Sequence, residues 1–483
     1  MMELSAEQTN AVMLSRATKR MAIIAGAGSG KTRTLAAIAE VSNEQDSVRP
    51  LALMLTNAAA AEFRERGFFA DVSTFHAFAY RIVCENHAQL GYSSAPWIIS
   101  EEEADLRIKE VRDDLRCKAS MATIRRAHES RGPIDERGVW ATVVEYRNRL
   151  KSSNCIDFET VVRDAIRALD FVGMDLRAQY GTVIIDEAQD ADRRLWAFID
   201  KLNPDRIVAA GDPRQAIFGF RGGDCSAFMR FAEANKCLEL TMNYRSNNYI
   251  VAFANVLAKR ISPKLAPMVA YDNIADKLTA LGFRSVDAHK EKVVIGDSLD
   301  SVLRNVVPSF IQKGMRVAIL AAWNKTLDAL ESDLYQRAGG RINEWHRNVT
   351  TEAERLAREV VQSTLRLKFD SEDRVTMAIL KSVCGGIHPR DDPRFAEEFA
   401  RLAEWGDDYP AYLASSVLGD STARKQSADK PMLTLSTIHS MKSQESDVVI
   451  VLSDGFTDTI SSLKLQYVAA TRAKEALYIT TLH

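Results

Sequence analysis

The chain has 483 residues, 46% of them hydrophobic and 27% charged, with 63 Lys and Arg set against 65 Asp and Glu. That length supplies several packed domains rather than one, and a formal charge of -2 excludes whole-molecule attraction to nucleic acid, so any DNA contact must rest on a local track. No apolar run approaches the roughly 18 residues of a membrane span and MMELSAEQTN lacks the blocks of a signal peptide, which makes the cytoplasm the expected location.

Met21 to Ala25 reads as a short buried strand, Leu51 to Thr56 as a second, and residues 91–150 as helices with a charged face. Thr182 to Ile185 and Arg206 to Ala210 complete a first block of strands. A second block holds Val293 to Ile295, Arg316 to Ala321, Leu433 to Ser436, Val448 to Leu452 and Leu477 to Thr480, interrupted by a charged, helix-rich stretch over 330–428. Ser415 to Asp429, polar and rich in small residues, reads as a flexible connection. Six cysteines, Cys84, Cys117, Cys155, Cys225, Cys237 and Cys384, stand singly, without the close pairs of a zinc or iron-sulfur site, and are expected to be reduced. With its last strand at the C-terminus, the chain is expected to carry no further catalytic domain.

The chemistry begins at AGAGSGKT, residues 25–32, between the first strand and a helix-forming run. Gly26, Gly28 and Gly30 permit a tight turn in which the backbone N–H groups of Ala25, Gly26, Ala27, Gly28, Ser29 and Gly30 converge on an anion. Lys31 adds a point charge for the β- and γ-phosphates of ATP, and the Thr32 hydroxyl can ligate the Mg2+ that bridges them. The relaxed pattern arises by chance in about 3 in 100 chains of this length, so a partner motif is needed. VIIDEAQD at 183–190 is that partner: an apolar strand ending in Asp186, for the metal, and Glu187, beside the attacking water.

The order of the remaining motifs resembles the UvrD, Rep and PcrA type DNA helicases of superfamily 1 over nearly the whole chain. The segments are LSAEQTNAV at 4–12, TNAAAAEFRER at 56–66, STFHAF at 73–78, YRNRLKSSNCIDFETVV at 146–162, GDPRQAIFGFRGG at 211–223, NYRS at 243–246, STIHSMKSQESDVV at 436–449 and QYVAATRAKEAL at 466–477. The resemblance implies an α/β fold of two RecA-like P-loop cores with parallel sheets, each carrying a mainly helical insertion. Core 1 would span 1–90 and 151–244 around an insertion at 91–150; core 2 would span 245–329 and 429–483 around a shortened insertion at 330–428.

Carried over by motif, Gln8 would read the adenine edge, Gln215 would sense the γ-phosphate, and Arg245 and Arg472 would reach across the cleft to the transferred phosphoryl. Tyr244 is similar to the family's adenine-stacking aromatic, Arg33 to a ribose or base contact, and Glu445 to a sugar contact. Thr56, Asn57, Thr74, Phe75 and His76 resemble the family's DNA contacts of the first core and His439 one of the second. Phe218, Phe220 and Arg221 resemble its platform for unstacked bases. The implied function is ATP-dependent translocation on single-stranded DNA, 3′ to 5′.

Departures fall on the DNA side. Leu55 and Ala58 stand where the family usually has Phe and Lys, and Met441, Ser443, Gln444 and Ser446 replace its usual small, Gly, Leu and Phe residues. Ser461 and Leu463 depart from the acidic and basic residues before the last motif. Together with the short second insertion, these put processive unwinding in doubt. The chain also resembles compact relatives such as the helicase-like subunits of Gabija antiviral systems, which implies a separate nuclease subunit as partner and a regulatory ATPase as the alternative function.

Overall fold

Long apolar runs buried on both faces build the molecule, as parallel sheets require. The computed structural model describes residues 4–46, 48–55, 59–60, 63–64, 70–129, 138–219, 225–271, 293–342, 345–348, 432–442 and 444–482. Its strands are β1 (Arg20–Ala25), β2 (Leu51–Met54), β3 (Asp71–Thr74), β4 (Trp97–Ile98), β5 (Cys155–Ile156), β6 (Thr182–Ile185), β7 (Arg206–Gly211), β8 (Lys236–Leu240), β9 (Met242–Asn243), β10 (Val269–Ala270), β11 (Val293–Ile295), β12 (Val317–Ala321), β13 (His346–Asn348), β14 (Leu433–Thr437), β15 (Ser446–Leu452) and β16 (Ala473–Thr480).

Two six-stranded sheets share one compact unit, which comprises residues 1–73, 173–349 and 424–483. The first sheet runs β3-β2-β6-β7-β1-β8, with β2–β6, β6–β7, β7–β1 and β1–β8 all parallel. The second runs β11-β16-β15-β12-β14-β13, again with parallel pairs. In the first sheet Met21, Ile23, Ile184 and Val208 pack beneath Leu35 and Ile38 of the helix Lys31–Asp46. In the second, period-two alternation divides β12 between two cores. Val317 and Ile319 pack on Leu327, Leu330 and Leu334, whereas Ala318 and Leu320 face Val468 and Ile250.

A second unit, described over Thr74–Val172, is a helical layer with the two-stranded ribbon β4–β5. The helices Glu101–Asp114, Met121–His128 and Val139–Ser152 bury Ile108, Val111, Ile124, Val143, Tyr146 and Leu150 together.

The fold is the expected mixed α/β arrangement with parallel sheets, but several boundaries differ. The helical unit extends to both sides of 91–150. The second interruption starts later than residue 330, because the helix Asn324–Arg337 covers β12 and β14, and β13 pairs with β14; its remainder, 349–431, and the 415–429 connection lie outside the described residues. β2 ends at Met54, short of Thr56. β8 was not anticipated, since KCLEL leaves polar side chains on a half-exposed edge strand. The five described cysteines are free, and Cys384 lies outside the described residues. No described helix is long and apolar enough to cross a membrane.

Candidate active site

The turn from β1 into the helix Lys31–Asp46 has Gly28 at φ 69° and Gly30 at φ 77°, a region that costs glycine least. A Cβ on Gly28 would lie 2.7 Å from that of Arg245, so the loop is also glycine-limited by a close approach. Gly26 N–H donates to Leu240 O at 3.0 Å, fixing the loop's entry to the sheet edge. Thr32 and Arg33 are half-buried at the helix start. Ser29 Oγ is buried and has no hydrogen-bond partner among the described residues, which fits a loop built to hold an anion's oxygens.

Gln8 does not stand free to read a base. Its Oε1 accepts from Ser5 N at 3.1 Å and its Nε2 donates to Ser29 O at 3.1 Å, so the side chain closes a capping box and braces the glycine loop.

Asp186 and Glu187 follow β6 directly, and both meet Lys31. Its ammonium lies 2.9 Å from Asp186 Oδ1 and also pairs with Glu187 Oε1. Glu187 is a non-glycine residue at φ 55°, a conformation that persists only where its surroundings enforce it. Gln189, fully buried, does so: Nε2 donates to Glu187 Oε2 at 2.6 Å while Oε1 accepts from Asp212 N at 3.0 Å. Burial opposes charge on Lys31, but Asp186 and Glu187 override it and raise its pKa. Burial likewise opposes ionisation of Glu187, yet Lys31 and Lys442 hold its carboxyl below the ordinary range.

The second half of the chain supplies cations to the same place. Asn243 donates from Nδ2 to Ala27 O at 2.7 Å, and its Oδ1 accepts from the backbone of Arg245 (2.9 Å) and Ser246 (2.8 Å). Ser246 and Asn247 then bond the carbonyls of Ala473 and Glu475. The NYRS turn is therefore tied to the glycine loop on one side and to β16 on the other. Arg245 pairs with Glu445 at 2.7 Å and donates to Thr471 O at 3.2 Å. Burial opposes ionisation of Glu445, but Arg245 and Lys474 keep its pKa lowered. Arg472 is 3% exposed and donates from Nη2 to Gln215 Oε1 at 2.9 Å; burial, reinforced by Arg245, pushes its pKa down to about 10. Tyr244 is half-exposed, its ring 5.1 Å from that of Tyr271.

The residues expected at DNA are less gathered. Phe218 and His439 meet with ring centroids 5.8 Å apart. Phe75 is wholly buried and Thr74 caps the helix Phe75–Glu85 by accepting from Ala77 N at 3.2 Å, so neither presents a free contact group here. His76 packs edge-on against Phe158 at 5.9 Å. Thr56, Asn57, Phe220 and Arg221 lie outside the described residues.

Sequence reading missed Gln189, Asn243, Asp212 and Lys442. Lys442 is 7% exposed, pairs with Asp190, donates to Gln215 O at 2.8 Å and lies 5.0 Å from the Phe218 ring centroid. The available signal was the last acid of DEAQD, Asp190, a buried charge that needs a cation.

A glycine loop on a parallel sheet, a strand-end acid pair and two arginines, one in the turn after β9 and one just before β16, are the arrangement of a P-loop nucleotide-binding class. Residues 4–236 match the UvrD/REP helicase N-terminal domain family. The ATP-dependent DNA helicase UvrD1 of Mycobacterium tuberculosis (strain ATCC 25618 / H37Rv) is 26% identical over 328 residues, covering 58% of this chain and 42% of that protein. The ATP-dependent DNA helicase PcrA of Staphylococcus aureus (strain NCTC 8325 / PS 47) is 29% identical over 299 residues, covering 54% of this chain and 40% of that protein. The first half of the chain is thus similar to UvrD and PcrA type helicases, and the chain spans less than half the length of these relatives.

Proposed function

We propose that this chain hydrolyses ATP in the cleft described above and uses the cycle to move 3′ to 5′ along single-stranded DNA. One observation carries the reading: Lys31, Asp186 and Glu187 from the first half of the chain, and Arg245, Lys442 and Arg472 from the second, surround one glycine loop and its acid pair.

The triphosphate sits on the N–H groups of the loop, and Lys31 exchanges its carboxylates for the β- and γ-phosphates. Thr32 and Asp186 are the residues that would hold Mg2+, and the ion would offset charge on the transferred phosphoryl. The unpartnered Ser29 hydroxyl and the acceptor-rich end of β6 fit such a guest. Glu187, steadied by Gln189, orients the attacking water. Arg245 and Arg472 stabilise the charge that develops on the phosphoryl oxygens. Because each guanidinium is held by the second half's own carbonyls, at Thr471 and Val468, hydrolysis is coupled to the approach of that half. Phe218, Phe220, Arg221 and His439 form the DNA track, and Phe75 is assigned to the core.

Phosphate release measured with and without an oligonucleotide tests both parts. Turnover that depends on Lys31 and rises with DNA is expected; a rate indifferent to DNA removes the motor. The departures at Leu55, Ala58, Ser443, Gln444 and Ser446 favour a second reading, a DNA-responsive ATPase subunit that gates a separate nuclease. Stopped-flow release from end-labelled single strands separates the two: a lag that grows with strand length belongs to the motor, and a constant lag to the gate.

A further inference from the structure

We propose that Asp212 and Tyr467 are positioning residues that fix the Gln215 amide with its carbonyl oxygen, not its N–H, toward Arg472 and the attacking water. The inference rests on the ATPase reading and deepens it.

Asp212 is wholly buried and pairs with Arg214, whose Nε lies 2.8 Å from Oδ1. Oδ1 also accepts from Arg214 N at 3.1 Å, while Oδ2 accepts from Gln215 Nε2 at 3.0 Å and from Tyr467 OH at 3.1 Å. A carboxylate paired in this way only accepts, and a guanidinium only donates. The Gln215 atom facing Asp212 must therefore be nitrogen, and the atom 2.9 Å from Arg472 Nη2 must be oxygen. A flipped amide would set oxygen against carboxylate and N–H against guanidinium, losing both bonds at once.

Tyr467 ties this arrangement to the nucleotide loop. It is fully buried, and it packs with Ala27 and Met268. Burial and Asp212 both push its pKa up, keeping the hydroxyl a donor. It lies on the helix Ile460–Ala470, immediately before Arg472. Asp212 N–H in turn donates to Gln189, which holds Glu187. One hydrogen-bond path thus runs from Glu187 through Gln189, Asp212 and Gln215 to Arg472, with Tyr467 joining it from the second half.

The test uses oligonucleotide-stimulated phosphate release by the full chain and its Lys31→Ala, Tyr467→Phe, Gln215→Ala and Tyr467→Phe/Gln215→Ala variants. Tyr467→Phe removes only the hydroxyl and should lower kcat about tenfold while leaving KM for ATP unchanged. The double variant should match Gln215→Ala alone, since Tyr467 acts through that amide. If the two losses multiply, or Tyr467→Phe turns over like wild type, the positioning role is overturned while the ATPase reading stands. If wild type shows no Lys31-dependent release, the ATPase reading falls and takes this inference with it. Should Tyr467→Phe not fold, Gln215→Glu decides: a carboxylate facing Asp212 should cost at least as much kcat as Gln215→Ala, and wild-type turnover overturns the assigned amide polarity.

Discussion

Asp157 in the helical unit and Glu187 in the nucleotide cleft are both carboxylates withdrawn from water, and they are held in opposite ways. Asp157 accepts from Tyr146 OH at 2.6 Å, His128 Nε2 at 2.8 Å and Thr160 N at 2.7 Å, all from neighbouring elements of one helical layer. Burial opposes its charge, yet His128 and the hydrogen bonds from Thr160 and Tyr146 override it and lower its pKa. Glu187 takes Lys31 and Lys442 from two distant segments and Gln189 from two residues further on, and does so on a left-handed backbone. A buried charge alone does not mark a reactive site. What distinguishes Glu187 is strain together with cations that can trade it for phosphate.

The comparison is sharpest in turnover. Lys31→Ala should reduce oligonucleotide-stimulated phosphate release to background, because no other loop cation is left to hold the β- and γ-phosphates; residual wild-type-like turnover would move the nucleotide elsewhere. Glu187→Gln should lower kcat by about 10²–10⁴-fold while a fluorescent ATP analogue still binds. Asp157→Ala should leave kcat of the folded protein intact and instead cost about 1–3 kcal/mol of stability, the penalty of leaving the buried donors of Tyr146, His128 and Thr160 without their acceptor. Urea midpoints read this directly. A dead but fully stable Asp157 variant would erase the contrast between the two carboxylates.

Acid titration gives a smaller, signed version of the same contrast. With its folded pKa below the ordinary value, Asp157 contributes stability that is present above its unfolded pKa of about 3.9 and lost as pH falls through the folded pKa. The stability gap between wild type and Asp157→Asn should therefore hold steady from neutral pH to about 5 and shrink below about 4. A gap that widened in acid would mean that Asp157 is protonated in the fold.

Much of this was legible in the chain. The strands at 21–25 and 182–185 announce themselves as apolar runs, and glycine spacing with the acid pair is what points to nucleotide chemistry. Arg245 and Arg472 were reachable only by resemblance, since an arginine near a strand end has no local signature. Lys442 and Tyr467 were invisible because their burial arises from contacts with Asp190 and Asp212, far away in the chain. Phe75 shows the complementary difficulty: its motif suggests a contact residue, whereas its side chain is wholly buried. Edge strand β8 escaped because its alternation is weak and its exposure mixed.

The Phe218–His439 pair is where the cleft and the DNA track can be told apart with the least disturbance. Phe218 is half-buried, with the Lys442 ammonium 5.0 Å and the His439 ring 5.8 Å from its ring centroid. Phe218→Ala should weaken single-strand binding by the low end of about 1–3 kcal/mol, the worth of one stacked base. Fluorescence anisotropy with a labelled oligonucleotide measures this, and His439→Ala should have a smaller effect in the same direction. DNA-free phosphate release should change less than DNA binding does in both variants. If instead Phe218→Ala lowers DNA-free turnover and leaves the binding isotherm untouched, the ring serves Lys442 and the acid pair, and the track must run elsewhere.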